Sequence, residues 1–185
     1  MLNTRFFVLV FITLATAAAR LIPHPPNVTP IAAMALFGGA YFISKKAAFA
    51  VLLAAMALSD LVLGLTLYGK AIFLLMPYVY ACFLATTCLG LWIRPRSSPQ
   101  RIAAAALASS ILFFLVTNFG SWLAYSFYSR TWDGLVACYI AGLPFFRNAL
   151  AGDAIFTVVL FGGFALAQRY VAALRDGAVP VHMTN

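Results

Sequence analysis

The stretch RLIPHPPNVTPIAAMALFGGAY, Arg20 to Tyr41, decides how this chain folds. Four prolines (Pro23, Pro25, Pro26 and Pro30) sit between two apolar segments. Proline fixes φ and removes a backbone donor, so Arg20–Pro30 cannot be a regular helix. Inside a bilayer, irregular backbone survives only at the water boundary, or where protein or a wet cavity shields it. The segment is therefore expected to form the wall or lid of a binding site, with Ile31–Tyr41 a short helix returning inward.

Composition sets the frame. Of 185 residues, 64% are hydrophobic and 9% charged, and the acids are only Asp60, Asp133, Asp153 and Asp176. A soluble domain needs a far more charged surface, so the chain reads as an all-α integral membrane protein with one compact bundle in membrane lipid. The +8 net charge marks topology instead of forming a patch, so no nucleic-acid partner is expected. Three cysteines give no disulfide framework.

Apolar runs fall at Phe6–Ala19, Ile31–Ile43, Ala47–Leu67, Ala71–Ile93, Ile102–Phe127 and Ala149–Ala167. A crossing takes about 20 residues, so the third, fourth and fifth suffice alone and the others need help from flanks or burial. Breaks are expected at Ser44–Lys46, Gly64–Lys70, Arg94–Arg101 and Ser129–Arg147. Six crossings put both termini on one side. A cytoplasmic N-terminus places Arg5, Lys45, Lys46, Arg94, Arg96, Arg101, Arg169 and Arg175 inside. It leaves Arg20, Lys70, Arg130 and Arg147 outside, a ratio of eight to four that fits cytoplasmic termini. Three outward loops, the proline-rich one included, could then close over one ligand. MLNTR followed by FFVLVFITL and ATAAA also resembles a signal peptide; the segment is read as retained, with cleavage as the rival. Retained, Ala15 and Ala19 form a small face for close helix approach.

Several motifs carry two readings. Gly64–Ala71 nearly spells a phosphate-binding loop, but lacks the Ser or Thr after Lys70 and a preceding strand, so it is discounted. Asn27-Val28-Thr29 matches a glycosylation sequon, and an Asn in a turn is the simpler account. His24 is either a loop cap or a ligand-binding group. Tyr78, Cys82 and Thr86 share one helix face, expected to point into the bundle. Cys82 is there a packing residue or a soft ligand. Cys88 lies about 120° round the helix, too far to chelate with it. Asn118, Trp122, Tyr125 and Ser129 form a second stripe, suited to a large amphipathic ligand or to an interfacial belt. Asp60 is an intramembrane acid with Arg20 or Lys70 as partner. Asp153 either complements a helix N-terminus or touches ligand. No paired carboxylates and no nucleophile–base arrangement appear, so the spacing offers no catalytic site.

RLIPHPPNVTPIAAMALFGGAYF, with ALSDLVLG, NFGSWLAYSFY and GDAIFTVVLFGG, resembles a bacterial family of transport proteins related to the S components of energy-coupling factor (ECF) transporters. The resemblance covers almost the whole chain. It implies a six-helix bundle in the bacterial cytoplasmic membrane, with ligand held near the outer face by loops one, three and five. It also implies that Ala15 and Ala19 dock on a shared energising module. Within the group the chain is most similar to the BtuM-type vitamin B12 transporters. That implies cobalamin or another corrinoid as substrate, Cys82 as the cobalt ligand, and thiol-mediated decyanation of cyanocobalamin. Ligand contacts are then expected from His24, Asp60, Tyr78, Asn118, Trp122, Tyr125 and Asp153. Two alternatives stand beside this: uptake of another small molecule, and a membrane scaffold without a cavity.

Overall fold

A computed structural model describes residues 4–68 and 73–175, and among these every regular element is helical. The helices are α1 (Thr4–Ala19), α2 (Ile31–Tyr41), α3 (Lys45–Leu63), α4 (Met76–Ile93), α5 (Pro99–Ala124), α6 (Trp132–Thr157) and α7 (Gly163–Tyr170). A π-helical stretch extends α3 from Gly64 to Tyr68, and another, Val158–Gly162, joins α6 to α7. Four helical rods are long and apolar enough to cross a membrane: 45–66, 76–93, 99–124 and 132–170. The shorter α1 and α2 fall below that length.

The bundle is built around α2. Ten consecutive residues, Ile31–Ala40, are buried. A helix apolar on every side has no face to offer water and belongs in the core. It packs most extensively on α4, because Gly39 and Gly90 let the two backbones touch. A Cβ on either glycine would lie 2.9 Å from the other's Cα and closer still to a carbonyl of the facing helix. On its other side the Phe37 ring meets Phe161 and Phe164 edge-on, each at 5.5 Å.

Two guanidinium groups close the C-terminal end of α2. Arg94 donates to Gly39 O (2.8 Å), Ile43 O (2.9 Å) and Phe42 O, and Arg5 donates to Tyr41 O (3.1 Å). Those carbonyls have no partner within the helix, and cations there also oppose the negative end of its dipole.

The proline-rich lead-in is irregular, as expected. Pro25 O accepts from Val28 N (3.0 Å), closing a turn with Pro26 and Asn27 at its centre. Asn27 has φ +64°, a left-handed conformation that asparagine tolerates better than most residues. The asparagine thus lies in a turn, as expected. The turn is held inward by Asn148 Nδ2, which donates to Pro26 O at 3.0 Å. Gly152 adds room, since a Cβ there would stand 3.1 Å from Val28 Cα.

The expected loop Ser129–Arg147 is a correction. Only the turn up to Thr131 is non-helical, and one rod runs from Trp132 to Tyr170. Thr131 Oγ1 accepts from Gly134 N (3.2 Å), and Asp133 sits in the first turn, so the start carries both a cap and a favourable charge. Pro144 lies inside the helix, where it removes a hydrogen bond and would ordinarily break it. Packing on α5 outweighs that cost: Cys138 Sγ donates to Asn118 O (3.4 Å), and Tyr139 OH donates to Leu115 O (2.7 Å). At 1.5 Å per residue the 39-residue rod is about 58 Å long, well beyond the roughly 30 Å of a bilayer core. The α5–α6 hairpin also projects past the start of α4, since Tyr78 near that start already lies level with Gly120.

Candidate functional site

That projection creates a cavity. It holds about 450 Å³ and lies between the α5–α6 hairpin, the start of α4 and the proline-rich turn. Pro26 and Asn27 come from the first connection, Leu75 from the third, and Tyr125, Phe127 and Tyr128 from the fifth. The floor is aromatic, with Phe113 and Phe114 from α5 facing Phe145 and Phe146 from α6. The Phe114 and Phe146 rings lie 4.6 Å apart. Polar groups are few: Asn27, Thr117, Asn118, Ser121, Tyr125, Tyr128 and the Cys138 thiol. An apolar pocket with a small set of converging polar groups is the usual form of a small-molecule site.

Of the residues singled out from the sequence, Asn118 and Tyr125 line this cavity. Asn118 is held by its Nδ2 donating to Phe114 O (2.7 Å), and its amide oxygen rests against Gly142, where a Cβ would collide with it. Trp122 lies outside the lining: Nε1 donates to Ser129 O (2.8 Å), and the Arg130 guanidinium stands 5.4 Å from the ring centroid. It ties the α5–α6 turn together. The Tyr78 ring fills the space left by Gly120 and so packs α4 on α5. His24 Nδ1 donates to Ile22 O (2.6 Å) within its own loop.

Cys82 is buried in the α4–α5 interface, where Sγ donates weakly to Leu112 O at 3.9 Å. It is not among the described lining residues, whereas Cys138 is. Among the described residues no group of three or more His, Cys, Asp or Glu side chains converges on one point.

The two membrane acids serve other contacts. Asp153 Oδ2 accepts from Ser110 Oγ (2.5 Å), joining α6 to α5. Asp60 Oδ1 pairs with Arg20 Nη2 at 2.6 Å, both side chains being under a tenth exposed, while Arg20 Nη1 also reaches Ser59 Oγ and Met56 Sδ (3.2 Å). Asp60 and Tyr80 border a second, shallower hollow of about 620 Å³ with Ala57, Leu61, Phe73, Met76 and Pro77. It lacks the convergence of several polar groups that marks the first. The expected partner Lys70 lies outside the described residues.

Sequence reading missed Cys138, Ser121 and Tyr128. Phe113, Thr117 and Ser121 form a second row on α5 beside the one containing Asn118, and their spacing of four was available as a signal. Cys138, Ala141, Gly142, Phe145, Phe146 and Ala149 likewise follow a three-and-four spacing, hidden by reading that segment as a loop.

A family model described as "Family of unknown function (DUF6580)" matches residues 1–174, nearly the entire chain. No curated protein and no solved structure matches.

Proposed function

We propose that this chain, which belongs to the DUF6580 family, is a membrane uptake protein that binds a small molecule in its outer cavity, in the manner of the S components it resembles. One observation carries the reading. Segments about a hundred residues apart, from the first, third and fifth connections, contribute to a single cavity, and six crossings would put all three outside. In this reading α1 and α2 complete the six, both termini are cytoplasmic, and the eight-to-four distribution of Lys and Arg sets the orientation. The rod Trp132–Tyr170 then crosses once, with its surplus length outside. Ala15 is exposed and Ala19 half-buried on α1, and this face is proposed to meet an energising module.

Cobalamin is the narrower form of the proposal. The Cys138 thiol favours it, as the one soft donor among the described residues of the cavity wall. Against it stand the burial of Cys82 and the volume, which falls within the roughly 300–1,000 Å³ typical of drug-sized ligands. A corrinoid is far larger. Uptake of another small molecule therefore fits the geometry better.

The test is mass spectrometry of small molecules released by denaturing the purified protein, with Ala141→Trp as comparison. Ala141 lines the cavity and is otherwise exposed, so an indole there fills the space without entering the core. Wild-type protein should carry one compound near stoichiometry, and Ala141→Trp should lose it while melting at a similar temperature. Adding cobalamin or cobinamide should give a retained visible band only if the corrinoid form holds. An empty wild-type cavity that takes up no compound from cell extract would contradict the reading.

A further inference from the structure

Among the described residues that line the cavity there is no Asp, Glu, Lys, Arg or His. Three charged side chains of the surrounding elements are committed elsewhere. Asp153 binds Ser110, Asp60 is paired with Arg20, and Arg130 donates to Leu123 O (2.5 Å) and lies over Trp122. The deeper polar groups are also engaged. Thr117 Oγ1 donates to Phe113 O (2.7 Å), Asn118 Nδ2 to Phe114 O (2.7 Å), and Cys138 Sγ to Asn118 O (3.4 Å). The Asn27 amide and the Ser121 and Tyr128 hydroxyls keep free hydrogen-bonding capacity among the described residues. All three belong to the outer rim: Asn27 to the proline-rich turn, Ser121 to the last turn of α5, and Tyr128 to the α5–α6 turn. Among the described residues the site thus has an aromatic floor and a polar mouth without a charged group.

We infer that the substrate is an uncharged, flat ring compound with hydrogen-bonding groups along one edge, the ring entering between Phe113, Phe114, Phe145 and Phe146 and the edge meeting Asn27, Ser121 and Tyr128. The inference rests on the uptake reading above and narrows it to a chemical class. Flat rings stack or tilt favourably against aromatic side chains. A buried carboxylate or ammonium without a counter-charge loses far more solvation than an amide or hydroxyl that finds a partner. With no counter-charge among the described lining residues, the cavity is expected to select against ions of either sign.

The test uses the full chain in lipid nanodiscs and three probes sharing one ring: naphthalene carboxamide, naphthalene carboxylate and naphthylmethylammonium. Binding is read by equilibrium dialysis, with empty nanodiscs subtracted to remove partition into lipid. The carboxamide should bind about tenfold or more tightly than either ion. Ser121→Lys, which puts a cation at the mouth, should shift the preference toward the carboxylate. Equal or tighter binding of either ion to the wild type would overturn the substrate class and leave the uptake reading standing. Binding of none of the three, together with an anionic or cationic compound found in the purified protein, would do the same. Binding of none, with no compound in the purified protein, would overturn the uptake reading and the inference with it.

Discussion

Gly90→Leu should leave no folded protein to purify. The α2–α4 crossing is a backbone-to-backbone contact, and any Cβ at Gly90 points at Leu36 O and at Gly39 Cα, 2.9 Å away. Nothing flexible stands there to move aside. The helices would have to separate along α2, whose ten buried residues have no other place in the bundle. Overpacking a tight core costs about 1–3 kcal/mol where side chains can yield, and occasionally more; a clash of backbone on backbone has nothing to yield and belongs beyond that range. Gly39→Leu should behave alike, since its Cβ meets Thr87 O and Gly90 Cα. Gly163, with nothing within 4 Å, is the control: Gly163→Ala should be neutral or stabilising by up to about 1 kcal/mol, as alanine favours helix. Yield of monodisperse protein on size-exclusion chromatography, with helical circular dichroism, reads the outcome. A well-folded Gly90→Leu protein would mean that α2 does not cross α4 as described.

The second large effect is expected at Asp60. Its carboxylate is the ion-pair partner of Arg20, and both side chains are almost wholly buried. Removing one member of a buried pair strands the other charge, at about 3–5 kcal/mol, whereas removing both is often nearly neutral. Asp60→Leu should therefore melt far below the wild type, and Arg20→Met with Asp60→Leu should recover most of the loss. The coupling from this double-mutant cycle isolates the pair from the packing change. The pair also has a functional consequence. Arg20 begins the proline-rich segment, and its tie to Ser59 and Asp60 on α3 fixes where Pro26 and Asn27 stand in the cavity wall. Ligand retention should fall in the single variant even at temperatures where it is still folded. A single variant as stable as the double one would remove the pair from the account.

How much of this was legible in the sequence varies by element. The prolines speak correctly for non-helical backbone from Arg20 to Pro30, because proline geometry is local and does not depend on context. Ile31–Tyr41 was legible as a short helix, though its complete burial was not, since an all-apolar helix suits lipid and core equally. The segment Trp132–Arg147 was misread because Gly, Pro, Asp and Arg spoke for a loop, while the hydrogen bonds from Cys138 and Tyr139 to α5 are invisible locally. That one error concealed five of the eighteen described lining residues, Cys138, Ala141, Gly142, Phe145 and Phe146. Asn118 and Tyr125 were found because an amide on an aromatic face is unusual in lipid. Cys82 was singled out by the same polar-stripe argument, yet a stripe facing inward can meet a neighbouring helix as readily as a cavity. For Cys82 it meets Leu112 of α5.

Sided thiol labelling measures most directly whether the cavity faces outward, as uptake from outside requires. In a chain with Cys82, Cys88 and Cys138 replaced by alanine, single cysteines are placed at Asn27, in the cavity mouth, and at Arg101, at the start of α5; both positions are exposed. A membrane-impermeant maleimide applied to intact cells should label Asn27→Cys fully and Arg101→Cys only after the membrane is broken. Labelling of Arg101→Cys in intact cells with Asn27→Cys protected would invert the bundle and contradict an outward-facing site.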